Sequence, residues 1–201
     1  TSMEKLIIAS KNQGKVNEIK DILKELPFEI ISMQDAGYNF EMDESGKTFD
    51  ENALLKAKAL YQHTGGMVLA DDSGLEIDFL NGAPGIYTAR FAGDKVDQEE
   101  KNARIVNLLS GVSSQYRTAR FVCSIAFVSG ERCFTVNGTV EGRIAEKPCG
   151  TAGFGYDPIF FVPAYGKTMA QLPDSVKNKI SHRARALNNL RDELEKIYLK
   201  K

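Results

Sequence analysis

The sequence predicts a mixed α/β fold: a sheet of parallel and antiparallel strands with flanking helices. Three observations carry this. Short apolar runs alternate with helical apolar stripes in the first part of the chain, which implies parallel strands joined by crossover helices. A long strand, a Ser129-Gly130 turn and a returning strand read as a hairpin, which adds antiparallel pairing. The chain then closes on an amphipathic helical tail.

Each element has a local reason. Leu6-Ile7-Ile8-Ala9 is a short apolar run that suits a buried strand, and Ser10 to Gly14 is a polar loop. Val16, Ile19, Ile22, Leu23 and Leu26 recur at helical spacing until Pro27 stops them. Phe28 to Ser32 reads as a second strand, and residues 33 to 47 are acidic and irregular. Thr48-Phe49-Asp50-Glu51 is a capping box, opening a helix that Gly65-Gly66 ends. Met67 to Ala70 reads as a third strand, ending at Asp71-Asp72-Ser73-Gly74. Leu75, Ile77 and Phe79 alternate with Glu76 and Asp78, as in a half-exposed strand. A loop from Asn81 to Asp94 precedes a helix from Asp97 to Ser110, with Gly111 at its end. Thr118 to Val128 and Cys133 to Val140 form the hairpin. Gly150 to Pro158 is a glycine-rich loop, Ile159 to Val162 a last strand, and the chain is mostly helical from about Ser175, with Leu187, Leu190 and Leu194 on its apolar stripe.

Composition narrows the function classes. The 201 residues are 42% hydrophobic and 26% charged, enough apolar surface to exclude disorder as the main state. No apolar run approaches the roughly 18 residues of a membrane span. The formal net charge of -1, from 26 basic and 27 acidic residues, speaks against bulk nucleic-acid binding. No secretory signal is visible. Cys123, Cys133 and Cys149 make neither a CxxC pair nor a zinc pattern, so reduced thiols in the cytoplasm are expected. Residues 3–201 are expected to form one domain, with Thr1-Ser2 a cloning remnant.

Five segments could carry chemistry. Ser10-Lys11-Asn12-Gln13-Gly14-Lys15 lies between a strand and a helix N-terminus, where amides and a lysine suit an anion; it reads equally as an ordinary turn. It is not a Walker A loop, because Ala9 and Val16 stand where Gly and Ser or Thr are needed. Asp71-Asp72 at a strand end would be costly without a compensating cation, and Mg²⁺ takes such hard oxygen ligands. Glu41, Asp43 and Glu44, with Lys56 and Lys58 following, read alone as a solvated face, although Glu44 could be a further metal ligand. Phe154 and Tyr156 lie among the glycines of residues 150–158, where an aromatic either stacks on a flat ligand or packs as a lid. Lys177, Lys179, His182, Arg183 and Arg185 form a local basic cluster, alone best read as a solvated helix start. Taken together, two phosphate-binding devices, a carboxylate cluster and an aromatic describe a Mg²⁺–nucleotide site.

These segments resemble, in order, the motifs of the inosine triphosphate pyrophosphatase family, from about Leu6 to Leu190. The likeness rests on Ser10–Lys15, Thr48–Ala53 with Lys56, Ala70–Leu75, Gly82–Tyr87 with Ala89-Arg90, Gly153–Pro158 and Ile180–Arg183. Ser10 stands where Thr is common and Thr88 where Ser is common; neither removes a needed chemical group. The resemblance implies a two-lobed fold with a central nucleotide cleft, a homodimer, and Mg²⁺-dependent hydrolysis of inosine, xanthosine and deoxyinosine triphosphates to monophosphate and pyrophosphate. It implies that Ser10, Lys11, Asn12, Gln13, Gly14 and Lys15 hold the triphosphate and that Lys56 faces the phosphates. Glu44 and Asp72 would hold the metal, Asp72 would serve as the base, and Asp71 is a possible supporting carboxylate. Ser73 would touch the substrate. Phe154, Gly155, Tyr156 and Asp157 would hold the base, with Phe154 stacking, and Lys177, His182 and Arg183 would complete the contacts. Three rivals are a Maf-type pyrophosphatase for modified pyrimidines, a non-catalytic nucleotide sensor and a nucleic-acid module. The base loop with Ser181-His182-Arg183, the intact Asp72 and Glu44, and the net charge weigh against them in turn.

Overall fold

A computed structural model describes residues 3–93 and 95–199. Thr1-Ser2, read as a cloning remnant, lie outside the described residues, as does Asp94 at the end of the 81–94 loop. The chain runs β1 (Glu4–Ile8), α1 (Gln13–Ile22), β2 (Phe28–Ser32), α2 (Phe49–Thr64), β3 (Met67–Ile77), α3 (Gln98–Leu108), β4 (Thr118–Val128), β5 (Cys133–Ile144), β6 (Phe160–Val162), β7 (Lys167–Thr168), α4 (Asp174–Ile180) and α5 (His182–Tyr198). The strands form one sheet in the order β2-β1-β3-β4-β5-β6-β7. β1 pairs in parallel with β2 and β3, with Leu6 opposite Ile30 and Met67. β6 is antiparallel to both β5 and β7. The sheet is therefore mixed, as the order of elements predicts. No helix among the described residues is long and apolar enough to cross a membrane.

The helix starts follow their caps. Asn12, Thr48 and Asp97 each accept a hydrogen bond from an amide of the first turn, at the starts of α1, α2 and α3. The Thr48–Glu51 signal is real but not a closed capping box: Glu51 Oε2 accepts from the Lys47 amide, one residue before the cap. Ser181 separates α4 from α5, and its hydroxyl accepts from the Ala184 amide.

Three sequence expectations are corrected, the first being that Phe79, read as the end of a half-exposed strand, lies in a short 3-10 turn, Asp78–Leu80, after β3 stops at Ile77. Asp71-Asp72-Ser73-Gly74 is not a loop after a strand that stops at Ala70; it lies inside β3, continuous from Met67 to Ile77. Acidic residues disfavour strands, and β1 pairs only with Met67–Leu69 at the start of β3; beyond that point β3 keeps β4 as its neighbour, and sheet pairing overrides local preference. The last strand begins at Phe160, because Ile159 belongs to a short 3-10 turn, and the two-residue β7 follows it.

The chain divides into two compact units. The first comprises the described residues up to Asp72, Cys123–Gly138, and those from Arg185 on; the second comprises Ser73–Val122 and Thr139–Ala184. In the first unit, strand alternation splits the core between two sheet faces. Leu6, Ile8, Leu69 and Phe127 pack with Val16 and Ile19 of α1 and Leu187, Leu190 and Leu194 of α5. Ile7, Ala9, Val68, Ala70 and Ala126 pack with Ala53, Ala57 and Leu60 of α2. The second unit has its own core around Leu75, Ile77, Ile105, Leu109, Phe121 and Phe160.

Arg117 ties that second core together. It is buried, and its guanidinium donates to the carbonyls of Ile144 (2.8 Å), Ala145 (2.8 Å) and Leu109 (2.5 Å). A planar fork of donors suits several backbone acceptors at once, and a cation beyond the α3 C-terminus is favoured by the helix dipole. Arg117→Met should leave these carbonyls unsatisfied and lower stability by about 2–5 kcal/mol. The shift of the urea midpoint at unchanged slope would measure it.

Candidate active site

The first unit holds an ionic cluster built from three elements. The loop before α1 is stiffened by its own side chains: Ser10 Oγ accepts from the Asn12 amide (3.1 Å) and Asn12 Oδ1 from the Lys15 amide (3.1 Å). Some of the amides expected to meet an anion are thus already engaged, while helix geometry leaves those of Gln13 and Gly14 without an intrahelical acceptor. The Gln13 side chain lies along the helix and donates to Asn17. Lys11 is exposed. Lys15 reaches across to β3, with Nζ 2.9 Å from Asp71 Oδ2. From α2, the buried Lys56 pairs with Glu44 Oε1 at 3.0 Å. Burial alone would lower the Lys56 ammonium, but Asp71, Glu44 and Asp72 outweigh it and hold its pKa above the ordinary value.

Asp72 completes the cluster. Burial pushes its carboxyl up to about 6; Lys56 and a hydrogen bond from Asn52 oppose the rise, while Glu44 and Asp71 add to it. Its Oδ2 is buried with no hydrogen-bond partner among the described residues. Glu44, Asp71 and Asp72 thus face Lys15 and Lys56, three carboxylates to two ammonium groups. The surplus is negative. Among the described residues no three or more His, Cys, Asp or Glu side chains are grouped to hold a metal ion. Mg²⁺ commonly takes one or two carboxylates and fills the rest of its shell with water and phosphate oxygens, so it does not require such a group.

The second unit holds an aromatic pocket of about 210 Å³. Its walls include Ser73, Gly74, Thr88, Ala89, Gln98, Phe121, Phe154, Gly155, Tyr156, Asp157, Lys177, His182 and Arg183. Phe154 is 66% exposed, an unusual state for a large aromatic. Lys177 Nζ lies 4.8 Å from its ring centre and the Arg183 guanidinium 5.9 Å. His182 stacks on Phe121 with ring centres 5.0 Å apart. His182 and Arg183 stand in the first turn of α5, where the helix dipole disfavours cations and favours an anionic ligand.

Two predicted base-holding residues are engaged in building the loop. Asp157 is buried, accepts from the Phe154 amide (3.2 Å) and pairs with Lys177. The pair packs on Gly153, whose φ of +77° and lack of a side chain both matter: a Cβ there would meet Lys177 Nζ at 2.6 Å. Tyr156 is buried in the core, and its hydroxyl donates to the Thr88 carbonyl at 2.6 Å.

The predicted residues therefore fall into two sets. Ser10 to Lys15, Glu44, Lys56 and Asp72 belong to the first unit, and Ser73, Phe154 to Asp157, Lys177, His182 and Arg183 to the second. Asp72 ends one unit and Ser73 begins the other, one peptide bond apart on β3. Sequence reasoning missed Asn52 beside Asp72, and Gln98 and Phe121 on the pocket wall. Asn52 lies inside a recognised motif; the others carry no local signal beyond polar or aromatic character.

The chain belongs to the Ham1 family, whose model matches residues 6–193. It is 48% identical to a dITP/XTP pyrophosphatase of Bacillus subtilis, over 96% of this chain and 98% of that protein. It is 47% identical to the dITP/XTP pyrophosphatase of Bacillus licheniformis, over 94% of this chain and 96% of that one. The solved structure of the Staphylococcus aureus Ham1 protein matches with a TM-score of 0.90 at 42% identity, over 96% of this chain and all 100% of the other.

Tyr156 offers a test of the pocket's packing. Burial pushes its hydroxyl up to about 12. The unfolded chain releases this proton near pH 10, the ordinary value, whereas the folded chain keeps it to about 12. Between these values the folded state binds more protons, so stability falls as pH rises. In Tyr156→Phe the fall from pH 10 upward should be shallower, as measured by urea midpoints across that range.

Proposed function

We propose that this protein is a nucleoside triphosphate pyrophosphatase that hydrolyses non-canonical purine nucleoside triphosphates, those of inosine, deoxyinosine and xanthosine. The products are the monophosphate and pyrophosphate, and the role is to cleanse the nucleotide pool. The observation that carries this reading is that the chain holds both chemistries a nucleoside triphosphate needs, a surplus-negative ionic cluster at Asp72 in one unit and an aromatic, cation-lined pocket in the other. The names of the relatives support it.

Roles follow from chemistry. Phosphates would be received by the Ser10–Lys15 loop, with Lys15 and Lys56 as charged donors. Glu44 and Asp72 would hold Mg²⁺, which when bound supplies positive charge against the phosphate tail. Asp72, with its carboxyl raised to about 6, is deprotonated at neutral pH yet basic enough to take a proton from the attacking water. The base would stack on Phe154, with His182 and Arg183 donating to a 6-keto oxygen. We place the protein in the cytoplasm as a homodimer, with no nucleic-acid or membrane partner; the formal net charge of -1 supports the absence of a nucleic-acid partner.

A panel of nucleoside triphosphates with Mg²⁺, with both products quantified, tests the activity. In water carrying heavy oxygen, the label should enter the monophosphate; label in pyrophosphate would place attack at the β phosphorus and sink the assignment. Asp72→Asn should lower turnover by about 10²–10⁴ while nucleotide binding persists. Near-normal turnover in that variant at saturating Mg²⁺ would remove Asp72 from the role.

Phe154→Ala should weaken all substrates alike, by about 1–3 kcal/mol, because stacking is tolerant of base identity. Arg183→Ala should instead narrow the gap between inosine and adenosine triphosphates, since adenine presents an amino donor to the site's donors. Comparing kcat/KM for both nucleotides in both variants separates the two roles.

A further inference from the structure

We infer that Asn102 is a specificity-determining residue that acts through the backbone of Gly155, and that the face of α3 bearing it positions the walls of the pocket in the second unit. The inference rests on the base-binding reading of that pocket. Lys101 and Asn102 are buried, 8% and 5% exposed, although an apolar helix face would be buried at less free-energy cost. Their partners explain them. Asn102 Nδ2 donates to the Gly155 carbonyl at 3.2 Å, and its Oδ1 accepts from Gln98 Nε2 at 2.9 Å. Gln98 also hydrogen-bonds the Tyr156 hydroxyl, which donates to the Thr88 carbonyl. Lys101 Nζ donates to the Ala89 carbonyl at 2.7 Å.

Gln98, Lys101 and Asn102 stand at i, i+3 and i+4 and so share one helix face. That face grips residues 88–89 on one wall of the pocket and residues 155–156 on another. Gly155 has φ +62°, and a Cβ there would meet nothing within 4 Å. No packing on that side of Gly155 holds it, and the bond from Asn102 adds a restraint at this point to those that Asp157 and Tyr156 place on their neighbours in the loop.

The consequence concerns selectivity. A donor–donor mismatch penalises the wrong base only while the walls cannot move; a loop free to shift lets the base slide or water enter, and the unpaired groups regain partners. Asn102→Asp keeps the size, removes the donor to Gly155 and sets a carboxylate against its carbonyl. The preference for inosine over adenosine triphosphate, as a ratio of kcat/KM values, should fall about 10-fold, the loss of roughly one donor contact. Hydrogen exchange of the 150–158 segment should accelerate in the same variant. Gln98→Leu, which leaves Asn102 in place without its brace, should show the same pattern more weakly and covers the case in which Asn102→Asp does not fold. Faster exchange with an unchanged ratio would make the contact merely structural and overturn the inference, as would an unchanged segment. A wild-type protein that turned over both nucleotides equally would overturn the base-pocket reading itself, visibly before any variant is compared.

Discussion

An interior strand with two adjacent aspartates is stable only where cations are brought to it, and the first unit is organised around that requirement. Asp71 and Asp72 lie within β3 rather than in a solvated turn. A buried carboxylate without compensation shifts its pKa or unfolds its surroundings. Lys15 from α1 answers Asp71, and Lys56 from α2 answers Glu44 and the aspartates together. The two helices lie on opposite faces of the sheet by their core partners, so one ionic cluster links elements that the apolar core keeps apart.

The compensation is incomplete, and the remainder has chemical meaning. Burial does most to raise the Asp72 carboxyl, and Glu44 and Asp71 add to the rise against Lys56 and the hydrogen bond from Asn52. Under the proposed function an incoming triphosphate would add negative charge, and a further cation would let phosphate and carboxylates share the site. In the proposed reaction a carboxyl raised by burial would suit proton transfer, and the excess of carboxylates over lysines would suit a divalent ion.

The second unit solves a different problem, that of holding irregular backbone in place. Residues 85–90 and 150–158 form no long ladder, and their carbonyls take buried side-chain donors instead: Lys101 for Ala89, Asn102 for Gly155, Tyr156 for Thr88. Arg117 does the same for the ends of α3 and β5. Such donors restrain a loop without filling its cavity, and the Phe154 ring stays exposed.

Much of this was legible in the chain. The apolar runs at Leu6 and Phe28, the helical stripe from Val16, the capping signal at Thr48 and the hairpin turn at Ser129-Gly130 each act over a few residues, and the structure has those elements there. The motif residues, too, announce their chemistry by type: lysines, carboxylates and an aromatic among glycines. Their partners did not follow from type. That Asp71 faces Lys15 while Glu44 faces Lys56, that Asp72 carries the raised pKa, and that Asp157 and Tyr156 brace their loop depend on long-range packing. Local preference even misplaced the Asp-Asp-Ser-Gly segment, because sheet pairing beside β4 outweighs the poor strand propensity of aspartate. Periodicity and residue chemistry, which are local, were thus determined by the sequence itself; charge pairing, burial and the grip of α3 on distant loops arise only when segments far apart in the chain are desolvated together, and the tertiary structure alone decided them.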